Sequence, residues 1–492
     1  MNLELLNEKE TKIKQWHVTP ADLMGINMGS ENLTDKEIKE RDNKGKEDWA
    51  YSVGVQAYIF GLPLMIFQRE RRIRLNPESL AIAQHVAPAA PINKIGKMTK
   101  LATAAVLPYT PNNDTGYCSA LIDVEKEPLI LTAPDITDRY WSIEFTDVYT
   151  NNIAYIGTRS TKGKGGDFAL VASNWSGKLP SHISANRIIR FPQDKGMFAI
   201  RIGVVETEED ITIMNTLHDQ FHLTNLSQWG YLGEVNTITP KQYDFLEYDS
   251  ELGFYKQLLT LGNVDMPQEK DRATLYTIQS LLYQEKNGGL DPYIKKGLIR
   301  ALKDSAEDIL KWKVKNRGTT HETRWNNLQP GTYGFDYFSR AAGALEDLFV
   351  HDWEEALCFS TNESYTHKKA EFLNGENKYV IHFKQDQIAP TYGLGFWSLT
   401  MYNHNLQFVD NKINRYKVGS IMPKQELLFN DDGSLDIYIQ HDKPNEEKKY
   451  TNWLPAPASG IFRISYRIYL PTENLQNPDN MINFLPPILK IS

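Results

Sequence analysis

Two stretches of strict two-residue alternation, separated by a long run with helical spacing, constrain this chain more than any other feature. In Tyr140 to Thr146, Trp141, Ile143 and Phe145 fall on one side, with Tyr140, Ser142, Glu144 and Thr146 on the other. That is the pattern of a half-buried strand. Further strands are predicted over 129–132, 168–172, 187–191 and 198–204, punctuated by Pro111, Pro134, Pro180 and Pro192. Alternation returns after about residue 375 with Tyr379/Ile381/Phe383, Trp397/Leu399/Met401 and Leu435/Ile437/Ile439. It ends with Phe462/Ile464/Tyr466/Ile468/Leu470 opposite Arg463, Ser465 and Arg467.

Between these stretches the apolar spacing becomes three and four. Thr207 caps a helix predicted through Phe221, and Asp291-Pro292 supplies an N-cap with proline in the first turn. A leading helix is predicted over 47–72. The fold class is therefore α+β and β-rich, with two antiparallel β-sandwich or jelly-roll-like modules joined by helices. The expected boundaries are a polar arm over 1–46, an N-terminal β domain over 47–205, a helical connector over 206–350 and a C-terminal jelly-roll-like domain over 351–492.

Composition removes several classes of function. With 41% hydrophobic and 24% charged residues, the chain is not disordered. Its 54 basic and 62 acidic residues are interspersed, so no nucleic-acid footprint is expected. Cys118 and Cys358 are too few for a disulfide framework. The most apolar run, 58–67, contains Gly61 and Pro63 and is too short to span a membrane, so it reads as a buried core helix. The N-terminus lacks the apolar core of a secretory signal. A cytoplasmic, soluble protein without a membrane partner is the expectation.

The enzyme loops with fixed signatures are missing. The glycines of 162–166 lack phosphate-loop spacing and read as a plain hairpin loop. His218 and His222 have the i,i+4 spacing that lets two imidazoles on one helix face hold a divalent metal, with Asp219 placed like a general base. A metal there is the one cofactor the sequence offers, although no third ligand follows; the alternative is the polar edge of an amphipathic helix.

Three polar clusters stand out. The first holds Asn112, Asn113 and Asp114, then Arg139, then Asp147, Tyr149 and Asn151. Asp147 falls on the apolar side of its strand, where a carboxyl must be paired or its pKa rises, as for a general acid or base. The alternative is that Asp147 caps a turn and pairs with Arg139. The second cluster holds Asp336, Tyr337 and Arg340, and the third Trp397, Asn414, Arg415 and Trp453. Aromatics beside Asn, Asp and Arg suit a polyol or sugar, and equally suit long loops tied to the backbone.

The ordered motifs PNNDT-x-Y (111–117), DRYW (138–141), D-x-YTN (147–151), FWSLTMY (396–402), N-x-x-NRY (411–416), DGSL-x-IYIQ (432–440) and NWLPAP (452–457) carry a resemblance. They make the chain similar to a paired domain-of-unknown-function family of mainly bacterial proteins. The resemblance implies two β-rich domains with helices between them, and it implies no settled activity.

Three functions are carried forward. The first is a hydrolase or lyase at the interface of the two modules, acting on a saccharide-like or small polar organic substrate. In it Asp147, Asp114 and Asp336 serve as acid/base, Tyr149 and Tyr337 as proton donors, and Arg139, Arg340, Arg415, Asn112, Asn113, Asn151, Asn414, Trp397 and Trp453 bind. The second is a non-catalytic binding protein for glycans or small molecules. The third is a structural protein that forms homo-oligomers through its β surfaces.

Overall fold

The structure is a computed structural model that describes residues 33–105, 110–229, 251–283, 289–315, 323–327, 330–346, 348–421 and 427–491. The first β module contains β1 (Gly96–Lys97), β2 (Thr115–Asp123), β3 (Leu129–Ala133), β4 (Trp141–Asp147), β5 (Asn152–Gly157), β6 (Gly166–Val171), β7 (Ile188–Arg190), β8 (Lys195–Gly203) and β9 (His222–Asn225). They form two sheets, ordered β1-β2-β8-β4-β5 and β7-β6-β3-β9. All pairings are antiparallel except β6 with β7. Trp141, Ile143 and Phe145 point between the sheets, packed with Phe198, Ile200, Leu131 and Phe168. The module thus takes in β9, beyond the expected boundary at 205. The glycine loop at 162–166 joins β5 of one sheet to β6 of the other, so it is a crossing between sheets and not a hairpin. Gly163 takes φ +76, and a Cβ there would meet the Ile136 carbonyl at 2.5 Å.

The second module contains β10 (Asn326–Asn327), β11 (Ala356–Thr361), β12 (Glu363–Thr366), β13 (Lys369–Phe372), β14 (Tyr379–Phe383), β15 (Thr391–Asn403), β16 (Lys417–Gly419), β17 (Leu435–Gln440), β18 (Trp453–Pro455), β19 (Phe462–Pro471) and β20 (Ile488–Lys490). Its two large sheets run β10-β11-β19-β15-β16 and β18-β17-β14-β20. Leu399, Met401, Ile464, Tyr466 and Ile468 from one pack against Ile381, Ile437 and Ile439 from the other. No sheet among the described residues closes into a barrel.

The helices form a third layer. Helix α1 (Asp35–Leu75) begins behind a Thr34 capping box and runs for 41 residues, about 60 Å. Residues 35–46 of the expected arm therefore belong to this helix, and 1–32 lie outside the described residues. By length and composition α1 could cross a membrane, but most of its apolar stretch is buried in the protein, with Phe60, Leu64 and Phe67 fully enclosed. That burial makes it a core helix. Helix α2 (Glu208–His218) links β8 to β9, while α3 (Gly253–Val264), α4 (Arg272–Tyr283) and α5 (Pro292–Asp304) pack along α1. Helix α6 (Tyr337–Glu346) packs on the same helix, just before the second module.

The alternation that fills each sandwich leaves a polar outer face on each large sheet. On β2, β4 and β8 that face carries Tyr117, Glu144 and Arg201; on β11, β15 and β19 it carries Cys358, Thr400 and Arg467. These two faces are turned towards each other. The PNNDT segment clips them together: Asp114 accepts from Ser398 Oγ at 2.6 Å and pairs with Lys417 Nζ at 3.0 Å, and Tyr402 OH donates to the Pro111 carbonyl at 2.7 Å. On the other side of the interface Glu355 accepts from Tyr140 OH at 2.9 Å and Arg159 Nε at 2.7 Å.

Candidate functional site

A cavity of about 780 Å³ lies between the modules, within the range of small-molecule sites. One wall is β2 and β8, with Tyr117, Ala199 and Arg201; the facing wall is β11 and β19, with Cys358, Arg463, Arg467 and Tyr469. Residues 348–351 close one side and the loop over 98–102 another.

Two charges of opposite sign sit in neighbouring strands of the first wall. Arg201 Nη1 lies 2.5 Å from Glu144 Oε2, and its Nη2 donates to the Phe349 carbonyl at 3.0 Å. The guanidinium also lies over the Tyr117 ring at 5.5 Å. His351 Nδ1 is 3.1 Å from the same Glu144 oxygen, and neither ring nitrogen has a hydrogen-bond partner among the described residues. Burial pushes the His351 pKa well below the usual histidine range, and the nearby Arg201 and Arg159 push the same way. The imidazole is therefore neutral near pH 7. Asn112 bridges the two walls, donating from Nδ2 to Tyr117 OH at 3.1 Å and to Tyr469 OH at 2.9 Å.

On the second wall, Arg467 donates to Thr400 Oγ1 at 3.1 Å and Tyr402 OH at 2.8 Å, and Arg463 to Ser360 Oγ. All three acceptors are neutral hydroxyls.

The residues singled out from the sequence are placed differently. Asn112 is the one among them that lines this cavity. Asp147, Tyr149, Asn151, Tyr337 and Arg340 do come together, in a closed cluster beneath α1. Asp147 Oδ1 accepts from the backbone N–H groups of Tyr149 and Asn151, both at 2.9 Å, so it caps the turn that follows β4. Burial raises its pKa, while the Asn151 bonds and Arg340 act in the opposite direction. Arg340 lies against the rings of Phe60, Tyr149 and Tyr337 at 5.3, 5.5 and 4.8 Å. Tyr337 OH donates to Asp271 at 2.6 Å, and Tyr149 OH to the Asp265 carbonyl at 3.1 Å. Asp265 in turn pairs with the buried Lys195 at 2.8 Å.

Several expectations are corrected here. Arg139 pairs with Asp210 at 2.9 Å and not with Asp147, because the two lie at opposite ends of β4. Asp336 forms no ion pair with Arg340; it is exposed and caps α6, accepting from Ser339 N and Ser339 Oγ. Asp114 and Asn113 belong to the inter-module clip, Asn113 holding Ala102 and Glu206. Arg415 ties down a loop by donating to the Tyr450, Thr451 and Trp453 carbonyls. Asn414 is an exposed turn residue at φ 49, Trp397 is core, and Trp453 Nε1 bonds the Gln440 carbonyl.

The His218/His222 metal pair is also corrected. Helix α2 ends at His218, Phe221 is drawn into the core, and His222 starts β9 opposite Thr132. The two imidazoles thus share no helix face: His218 is buried, with its pKa pushed down by burial to about 4, and His222 is exposed. No group of three or more His, Cys, Asp or Glu side chains among the described residues is arranged to hold a metal.

Arg201, Glu144, Arg463, Arg467 and Tyr469 do not stand out in the sequence because alternation alone assigns the polar side of a strand to water, and His351 lies alone in the loop before β11. The available signal was the central position of Glu144 and Arg201 in adjacent, otherwise apolar strands.

Comparison with known proteins agrees with this two-module description. Residues 92–225 match the family described as "Protein of unknown function (DUF1254)" and residues 357–473 match "Protein of unknown function (DUF1214)". Together the matches cover about half of the chain, and the chain belongs to this paired DUF1254–DUF1214 family. The crystal structure of the VPA0106 protein from Vibrio parahaemolyticus is similar, with a TM-score of 0.65 at 20% identity, over 90% of this chain and 100% of that one. An uncharacterized protein from Burkholderia cenocepacia gives a TM-score of 0.40 at 11% identity, over 86% of this chain and 96% of that one. No curated protein matches the chain.

Proposed function

We propose that the protein is an enzyme of the hydrolase or lyase type whose site is the cavity between the two β modules, acting on a small polar organic substrate. The observation that carries this reading is His351: a neutral imidazole at the cavity wall, with Nδ1 3.1 Å from Glu144 and neither ring nitrogen hydrogen-bonded among the described residues. A neutral imidazole accepts a proton, and a carboxylate beside Nδ1 orients the ring and stabilises the imidazolium that forms. Arg201 donates to Glu144 Oε2 and fixes the carboxyl group in place. His351 is the proton acceptor in this reading, and Glu144 and Arg201 are positioning residues. We further propose a soluble protein of the cytoplasm, a location with which the lack of a disulfide between Cys118 and Cys358 agrees.

The test is turnover of a panel of sugars, hydroxy acids and organic esters, followed by NMR, with wild type and His351→Gln. Loss of turnover in a variant that keeps the wild-type unfolding midpoint supports the assignment. Turnover unchanged in that variant removes His351. Saturable binding of an unaltered ligand by the wild type would favour the non-catalytic binding protein instead.

A further inference from the structure

The second wall of the cavity carries two guanidinium groups that no carboxylate contacts among the described residues. Arg463 and Arg467 lie four residues apart on one face of β19, about 13 Å along the strand, with Ser465 between them. Neither forms an ion pair among the described residues, and their hydrogen bonds go to Ser360, Thr400 and Tyr402 hydroxyls. Asp114 interacts with Arg467 at longer range, but its carboxylate already bonds Lys417 and Ser398. Arg201 differs in being neutralised by Glu144. Both side chains are half-buried, and a guanidinium partly shielded from water with no carboxylate in contact gains from an anion entering beside it.

Resting on the reading of the cavity as the substrate site, we infer that the substrate is an organic acid whose carboxylate is bound at Arg467 and whose body is apolar. The planar guanidinium fork matches a carboxylate in two parallel hydrogen bonds. Tyr469, next but one on the same strand, adds a phenol to the same wall. An apolar body can lie against Ile66, Met98, Leu101, Met197, Leu348 and Trp353, while the charged lining residues Arg69, Glu70, Arg74, Lys100 and Glu346 border other parts of the space. This goes beyond a generic polar ligand: a neutral sugar would leave both arginines unanswered.

The probes are linear and aryl carboxylic acids from butyrate to decanoate and phenylacetate, each paired with its amide, plus glucose and inorganic phosphate. Binding is measured by calorimetry on wild type, Arg467→Gln and Arg467→Lys, the last keeping the charge should the neutral variant not fold. At least one acid is expected to bind about tenfold or more tightly than its amide. Arg467→Gln should erase that preference, and Arg467→Lys should weaken it. Equal affinity for acids and amides, or binding of glucose but of no acid, overturns the carboxylate assignment and leaves the cavity as a site. Tighter binding of phosphate than of every acid also overturns it. Binding of none of these probes counts against both the assignment and the site.

Discussion

The molecule contains two buried polar clusters built from similar residue types, and they differ in what surrounds them. The one under α1, around Asp147, Arg340, Tyr149, Tyr337, Asp265 and Lys195, contributes nothing to the lining of the inter-module cavity: its arginine lies against aromatic rings and its lysine meets a carboxylate at 2.8 Å. The one between the modules, around Arg201, His351, Arg463 and Arg467, borders about 780 Å³ of space and includes two arginines bonded only to hydroxyls. Perturbed pKa values occur in both, at Asp147 and at His351. A shifted pKa alone therefore does not mark a site here; burial shifts a structural carboxyl and a cavity histidine alike. What separates the clusters is the space beside them: among the described residues Arg340 also lacks a carboxylate in contact, and its Nε and Nη1 make no hydrogen bond, but aromatic rings enclose it, whereas Arg463 and Arg467 border the cavity.

This comparison can be broken by substitution. Asp265→Ala leaves Lys195 charged and enclosed, and should cost about 3–5 kcal/mol in denaturant unfolding. Arg467→Gln removes a charge that has no counter-ion, and should fall within about 1 kcal/mol of wild type. Equal losses in the two variants would mean the clusters are not different in kind.

A pH series separates the two buried histidines. With its pKa held at about 4, His218 stays neutral in the folded protein, while the unfolded chain takes up the proton below about pH 6.5. The unfolded state then binds more protons, so stability falls as pH drops from about 6.5 to 4, by on the order of 3 kcal/mol. His218→Gln should flatten that slope without altering ligand binding. His351→Gln should flatten a slope of the same sign and also change turnover. Asp147, Asp265 and Glu355, whose pKa values are raised by burial, tilt the curve the opposite way in every variant, so the differences between variants carry the test.

A bound acid should raise wild-type stability by about 2.7 kcal/mol at a hundred times its Kd, and leave Arg467→Gln unmoved. Thermal unfolding with and without the acid reads this directly. The smallest effect is expected at Asp336, whose side chain caps α6 from an exposed position. Asp336→Ala should cost about 1 kcal/mol and leave ligand affinity unchanged. A loss of affinity there would draw the second sequence cluster back into the site.

The fold was largely legible because alternation reports burial strand by strand. Trp141/Ile143/Phe145 and Ile464/Tyr466/Ile468 entered the two cores as their spacing predicts. Asp291-Pro292 opens a helix as its cap chemistry requires. The site was much less legible. Runs such as PNNDT and N-x-x-NRY draw attention because Asn, Asp and Arg crowd together in sequence, yet that crowding serves turns and clips: Asp114 reaches Lys417 and Arg415 reaches three carbonyls. The cavity residues are spread singly through the chain, with Arg201 and Arg467 on strands of different modules and His351 in the loop before β11. Arg201 and Arg467 each lie on a polar sheet face, and periodicity cannot say whether such a face meets water or a second module. The His218/His222 pair failed for a local reason, since the helix ends between them.

A crystal structure of the protein with the tightest-binding acid of the panel decides whether the cavity between the modules is the site. The expected result is the carboxylate in bidentate contact with Arg467, the apolar body towards Met197 and Leu348, and His351 beside the ligand. An acid bound elsewhere with the cavity left empty, or seated there with its carboxylate turned away from both arginines, would contradict it.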